Sequence, residues 1–281
     1  MKILYPLAKR FIAGHNFDSA KPKIQRLMNE GFEVSIDYLG ELSKNQKDCE
    51  KARDQYLEII DFYKDQKINI SIKPTQLGLL MSRQSAYFFL SQILRRARMF
   101  GHTVRLDMEN SSVTGNTIWL CLRARSEGHE IGCALQANLH RTKSDLIRLI
   151  KAGVSVRLVK GAYKERENIS WTAYNDISAS FFDCAATLRS LKGNKPAIAT
   201  HDEEILEDIE ILLPTPEYFD YELLYGIRRD LQRDLKNKGY NVRIYVPFGE
   251  DWLPYALRRL REWKNLKFVL TNVIREIFST K

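Results

Sequence analysis

Eight short runs rich in β-branched and aromatic residues, most of them followed by a helical apolar pattern, predict an α/β fold: a (β/α)8 TIM-type barrel, regular or distorted. Eight such units in about 240 residues match that barrel in count and size. In chain order the strand and helix segments are 32–39 with 49–63, 67–73 with 87–100, 103–107 with 115–125, and 130–136 with 143–151. They continue with 154–160 and 174–191, 196–201 and 203–212, 218–224 and 229–237, and 242–247 and 251–264. Helical periodicity is weakest over 115–125 and 229–237. The whole chain, 1–281, reads as one domain: a short N-terminal helical arm over 1–30, the barrel over 31–265, and a C-terminal helix over 266–281. A doubly wound open sheet shows the same alternation and is the rival architecture.

Composition narrows the class. With 281 residues and 44% hydrophobic content, the chain can bury a sizeable core. Its 44 Lys and Arg against 35 Asp and Glu leave a net charge of +9. That excess suits an anionic ligand, nucleic acid or an acidic membrane surface. Zinc fingers, RRM-like aromatics and basic recognition helices are missing, so no nucleic-acid partner is expected. No apolar run approaches the roughly 18 residues of a membrane span. The apolar stretch over 1–14 is interrupted by Lys9 and Arg10 with no cleavage site after it, so no signal peptide is expected. Cys49, Cys121, Cys133 and Cys184 are scattered without zinc or redox spacing and read as thiols of a reducing, cytoplasmic compartment.

In parallel α/β folds the chemistry sits at the carboxyl ends of the strands. Here those ends carry Asp37, Lys73, Asp107 with Glu109, Gln136 with Asn138, Arg157 with Lys160, Thr200 with His201 and Asp202, and Tyr245. Each alone is equally well explained as a solvated strand end or a helix cap, as for Asp202 before Glu-Glu-Ile. Together they form a polar ring. Tyr255, Arg258, Arg259 and Glu262 share one helix face, where the arginine pair could fork a carboxylate or phosphate or be a solvated basic surface. Lys73 and Asp107 end neighbouring strands and could pair as a strut, orient an amine or move a proton. A strand lysine also suits a Schiff-base lyase, the rival enzyme class. No recurring metal-ligand pattern occurs, and no metal is expected. Dinucleotide and P-loop motifs are absent, leaving Val-Lys-Gly-Ala-Tyr at 159–163 as the candidate for a charge and close backbone approach.

Several fragments in order resemble the proline dehydrogenase family. They are Asp37-Tyr-Leu-Gly-Glu41, Ile70-Ser-Ile-Lys73, Arg105-Leu-Asp-Met-Glu109, Leu135-Gln-Ala137, Arg157-Leu-Val-Lys-Gly-Ala-Tyr163 and Ala199-Thr-His-Asp202. Leu224-Tyr-Gly226, Val242-Arg-Ile-Tyr-Val-Pro-Phe-Gly249 and Arg258-Arg-Leu-Arg-Glu262 complete the set. The resemblance implies FAD-dependent oxidation of L-proline to 1-pyrroline-5-carboxylate, with a membrane quinone as electron acceptor. It implies that Arg258 and Arg259 clamp the carboxylate, that Lys73 and Asp107 line the substrate pocket, and that Tyr245, Tyr255 and Leu224 pack on the ring. Met108, Gln136, Arg157, Lys160, Gly161, Ala162, Tyr163, Thr200, His201 and Glu262 are the implied FAD contacts. Asp107 and Arg157 are the implied catalytic groups, and Glu41 the gate residue that pairs with Arg258. A hydroxyproline dehydrogenase is the nearest alternative; Tyr245 crowds a ring hydroxyl. The chain departs from the family at Phe219-Asp-Tyr-Glu222, commonly Phe-Glu-Phe-Gln, a change expected to bear on outer flavin or loop contacts. Lys164 replaces an aromatic found in some relatives. Segment 268–278 either packs on the barrel or anchors peripherally to the inner face of the membrane, where the outer basic excess favours loose contact.

Overall fold

The computed structural model describes residues 10–190 and 194–262, without side-chain detail from 260 onward. The first nine residues of the expected arm, the Glu262 side chain and the expected helix over 266–281 lie outside the described residues. Eight parallel strands close into a barrel in chain order. They are β1 (Glu33–Tyr38), β2 (Asn69–Ile72), β3 (Thr103–Leu106), β4 (Gly132–Gln136), β5 (Ser155–Val159), β6 (Ala197–Ala199), β7 (Asp220–Leu224) and β8 (Val242–Phe248). Closure excludes the open-sheet rival: β8 pairs back to β1 from Glu33↔Arg243 to Tyr38↔Phe248.

Each helix expected after a barrel strand forms among the described residues. α1 (Phe17–Asn29) precedes β1, and α2 (Gln46–Phe62), α3 (Arg83–Met99), α4 (Ser111–Ser126), α5 (Thr142–Lys151), α6 (Tyr174–Ser190), α7 (Glu203–Leu212), α8 (Arg229–Asn237) and α9 (Trp252–Glu262) follow β1 to β8 in turn. Three of them begin earlier than their apolar periodicity does. Asn45, Ser82 and Asn110 accept hydrogen bonds from first-turn amides, and these polar caps lie before the apolar stripe. A 3-10 helix at Pro74–Leu77, unanticipated from periodicity, follows β2.

Alternation along the strands sorts side chains to two faces. Val34, Ile36, Ile70, Ile72, Val104, Leu106, Val156, Leu158, Ile198, Leu223, Ile244 and Val246 join the main apolar core with the surrounding helices. The opposite face, inside the barrel, is polar: Ser35, Asp37, Asn69, Ser71, Arg105, Asp107, Gln136, Arg157, Glu222 and Tyr245 are all buried. Bulky guanidiniums fit because neighbouring strands offer small residues. Arg105 pairs in register with Gly132, and Arg157 lies between Ala134 and Ala197. A Cβ on Gly132 would come within 2.7 Å of Arg105 Nε. At the carboxyl end, α9 contributes Tyr255 and Ala256 to a smaller cluster with Phe11, Ile12, Leu39, Ile227 and Tyr245. That packing brings the arginine-bearing helix over the ends of β1, β7 and β8.

Candidate active site

The upper layer of the barrel interior gathers residues from β1, β2, β3, β5 and β8. Lys73 Nζ donates to Asp37 Oδ2 at 2.7 Å and lies 3.8 Å from Asp107 Oδ2. Lys73 and Asp107 thus meet, as their strand positions suggested, but the short bond goes to Asp37. The sequence marked Asp37 only as a polar strand end. Asp37 Oδ1 has no hydrogen-bond partner among the described residues. Burial, with Asp107 close by, pushes the Asp37 carboxyl up against the pull of Lys73. For Lys73, burial is outweighed by Asp37 and Asp107, and its pKa is raised. The ion pairs favour the ammonium, the form opposite to the neutral amine a Schiff-base lyase requires.

Asp107 is fixed from two sides. Arg157 Nη1 donates to its Oδ1 at 2.5 Å and the Tyr245 hydroxyl to its Oδ2 at 2.6 Å. The Arg157 guanidinium also lies over the Tyr245 ring, 5.3 Å from its centroid, a cation–π contact. Burial and the carboxylates of Asp107 and Asp37 push the Tyr245 phenol up, so it stays a neutral donor. Arg157 is 4% exposed and reaches across the barrel to Glu222 and Ser71 as well as to Asp107. The departure at Glu222 consequently falls on the barrel interior and not on outer contacts. Period-two alternation places Ser35, Ser71 and Glu222 on the same face as Asp37, Lys73 and Leu224, so the sequence carries a signal for them.

The wall above this layer comes from α9. Arg258 Nη1 donates to Glu41 Oε1 at 3.0 Å, and its guanidinium lies 5.9 Å from the Tyr163 ring centroid. Arg259 lies over Tyr255, 5.4 Å from that centroid. Leu224 packs against the cluster that contains Tyr245 and Tyr255. One helix face and the ends of β1, β5, β7 and β8 thus converge on the same mouth.

A second set of expected residues lines the ends of β3 to β6. The Gln136 amide donates to the Glu109 carbonyl at 2.9 Å and accepts from the Ala162 amide at 3.3 Å, tying the loops after β3 and β5 together. Met108 is buried in the first of these loops. Gly161 has φ +124°, and a Cβ there would lie 2.2 Å from Asn138 Oδ1, so the approach requires glycine. Lys160 donates to Asp202 at 2.7 Å, and Asp202 caps α7 as its sequence suggested. Thr200 is buried and accepts from the Asp202 amide. His201 Nε2 accepts from the Leu224 amide at 3.2 Å, which leaves Nδ1 as the protonated nitrogen. Burial, then Arg259 and Arg228, push the His201 imidazolium down to about 3, so the ring is neutral. Among the described residues no group of three or more His, Cys, Asp and Glu could hold a metal ion.

The proline dehydrogenase family model matches residues 20–270. Proline dehydrogenase 1 of Bacillus subtilis (strain 168) is 32% identical over 276 residues, covering 96% of this chain and 91% of that relative. The proline dehydrogenase of Deinococcus radiodurans is 30% identical over 285 residues, covering 97% and 91%. The crystal structure of proline utilization A from Bdellovibrio bacteriovorus, inactivated by N-propargylglycine, superposes with a TM-score of 0.84 at 24% identity. This chain has 92% of its length covered in that match and spans 33% of the longer protein, a likeness of fold. The chain belongs to the proline dehydrogenase family.

Proposed function

We propose that this protein is an FAD-dependent proline dehydrogenase that oxidises L-proline to 1-pyrroline-5-carboxylate. The observation that carries the reading is the convergence of Lys73, Asp107, Tyr245 and Arg258 at one barrel mouth in a member of that family. Family membership and the names of the relatives support proline oxidation; the roles of individual residues are our assignment.

The residues fit a flavin. Asn138 Oδ1 is buried without a hydrogen-bond partner among the described residues, and the missing side chain of Gly161 lets the backbone after β5 pack onto the Asn138 amide. The neutral His201 has a ring N–H to offer, and Lys160 a cation for a diphosphate. Met108, Gln136, Gly161, Ala162, Tyr163, Thr200 and Arg157 complete the proposed contacts, with Glu262. When bound, FAD supplies the two-electron acceptor for the hydride leaving proline C5, the electrons then passing to a quinone.

The chain's own groups do the remainder. Arg258 and Arg259 clamp the substrate carboxylate by charge-assisted hydrogen bonds, Arg258 exchanging its Glu41 partner for substrate. Tyr245, Tyr255 and Leu224 bound the apolar ring and hold the C5 hydrogen in a reactive orientation. The amine must be neutral when the hydride departs. Asp107, with lone pairs left after binding Arg157 and Tyr245, takes the amine proton directly or through one water. Lys73 and Arg157 would place positive charge beside a bound flavin, where it would favour uptake of negative charge.

We assign the quinone to the membrane, reached by peripheral contact from the cytoplasmic side. No described helix is long and apolar enough to cross a bilayer. Purified protein carrying FAD should convert L-proline to the cyclic imine with a soluble quinone as acceptor. Turnover of hydroxyproline in preference to proline, or of neither, overturns the substrate assignment.

A further inference from the structure

One layer below Asp107, Lys73 and Tyr245, the barrel encloses a carboxylate surrounded by three arginines. Glu222 on β7 has a side chain only 1% exposed. Arg157 grips it in bidentate fashion, Nε to Oε2 at 2.8 Å and Nη2 to Oε1 at 2.5 Å. Arg105 Nη1 donates to the same Oε2 at 2.8 Å, and Arg243 Nη1 stands 3.9 Å away. Burial alone raises the Glu222 carboxyl, but Arg157, Arg105 and Arg243 outweigh it and hold it down at about 2. The volume for these guanidiniums comes from Gly132, Ala134 and Ala197, so β4 and β6 are shaped around them. A glutamine at this position would lack the charge that balances Arg105.

We propose that Glu222 is a positioning residue for the proline-oxidising reaction: it pins Arg157 and shares its charge, and so fixes how Asp107 is presented to the substrate amine. The inference rests on the proline dehydrogenase reading. Arg157 has one planar fork and divides it between two carboxylates, Glu222 below and Asp107 above. Among the described residues, the charged and titratable groups acting on Asp107 are Asp37 on β1, Tyr56 on α2, Lys73 after β2, Arg157 on β5, Glu222 on β7 through Arg157, and Tyr245 on β8. Ala134 on β4 and Ala197 and Ala199 on β6 add no charge. Within that ring Glu222 is the carboxylate that competes with Asp107 for Arg157. Removing its charge leaves the full Arg157 field on Asp107, which becomes a weaker proton acceptor.

The test is Glu222→Gln with Arg105→Gln as its opposite, both in the flavin-loaded full chain. For Glu222→Gln, anaerobic flavin reduction by L-proline should slow at least fivefold at pH 7 and its acid limb should move to lower pH. The KM should change less than twofold, since the carboxylate clamp is untouched. The flavin midpoint potential, titrated with dyes and no proline, should rise. Arg105→Gln, which leaves Glu222 in place and removes a cation, should move both the acid limb and the potential the other way. Should Glu222→Gln fail to fold, Arg105→Gln decides alone, and an unmoved limb and potential overturn the proposal. Normal bleaching of the parent protein with unmoved variants sinks the inference alone. A parent protein that binds no flavin or is not bleached sinks the proline dehydrogenase reading and takes the inference with it.

Discussion

Two charged layers inside the barrel use the same residue types and differ in how their carboxylates are satisfied. In the lower layer both oxygens of Glu222 are bound by guanidinium groups. In the upper layer Asp37 keeps one oxygen without a hydrogen-bond partner among the described residues, and Lys73 has one short bond and longer approaches to Asp107 and Tyr245. A buried carboxylate with both oxygens paired is held rigidly even though Arg105 Nε and Arg243 Nε beside it have no hydrogen-bond partner among the described residues, whereas a carboxylate with an under-satisfied oxygen gains from a ligand. The lower layer is thus a frame and the upper layer a binding surface, built on neighbouring residues of the same strands. Arg157 belongs to both.

The sharpest way to break this distinction is Arg157→Leu. It strands Glu222 and Asp107 with one cation fewer, and a loss of about 3–5 kcal/mol of stability is expected from removing one partner of a buried ionic network. Urea unfolding measures it, and an unchanged midpoint would erase the claim that the lower layer is a frame. Acid should attack the same frame. Glu222 is held at about 2 in the fold against about 4.3 for an unperturbed glutamate. Its stabilisation is therefore complete above about pH 4.3 and is lost as the pH falls toward 2. His201, at about 3 in the fold against about 6.5 unfolded, adds a loss of the same sign that begins near pH 6.5. Stability should decline steadily on acidification, and Glu222→Gln should flatten the lower part of that curve.

Asp107→Ala probes the upper layer. Flavin reduction by proline should slow on the order of a hundredfold or more, the scale of general-base contributions, and its acid limb should disappear. A pH–rate profile identical to the parent's removes Asp107 as proton acceptor. Gly132→Ala acts on the frame alone: its Cβ pushes on Arg105, and about 1–3 kcal/mol of overpacking destabilisation is expected, with KM for proline unchanged. The smallest effect belongs to the rim. Glu41 and Arg258 are partly exposed, so Glu41→Gln should cost under about 1 kcal/mol of stability. Its trace should appear in the rates of proline binding and release, and equal rates in both proteins would deny the pair a gating role.

Much of this fold is legible in the sequence because the physics is local. A run rich in β-branched and aromatic residues, such as 67–73, marks each strand, and eight of them count out the barrel. Helix starts are misjudged where a polar cap precedes the stripe, as at Ser82, since periodicity registers only apolar residues. The residues at the mouth are readable one strand at a time, but their pairings are not. Whether Lys73 bonds Asp37 or Asp107 depends on how three strands stagger around the closed barrel, and that distance is not encoded in spacing along the chain. Glu222 stands out in the sequence as a departure, but a change near a strand end reads as a loop change until the register puts its side chain inside.

The most direct test of the central assignment is anaerobic addition of L-proline to the purified, FAD-loaded protein while the flavin absorbance is followed. Full bleaching by L-proline is expected, with little by hydroxyproline and at least about hundredfold slower bleaching in Asp107→Ala, the general-base scale. A flavin that stays yellow with proline while hydroxyproline bleaches it, or bleaching by proline at an undiminished rate in Asp107→Ala, would contradict that assignment.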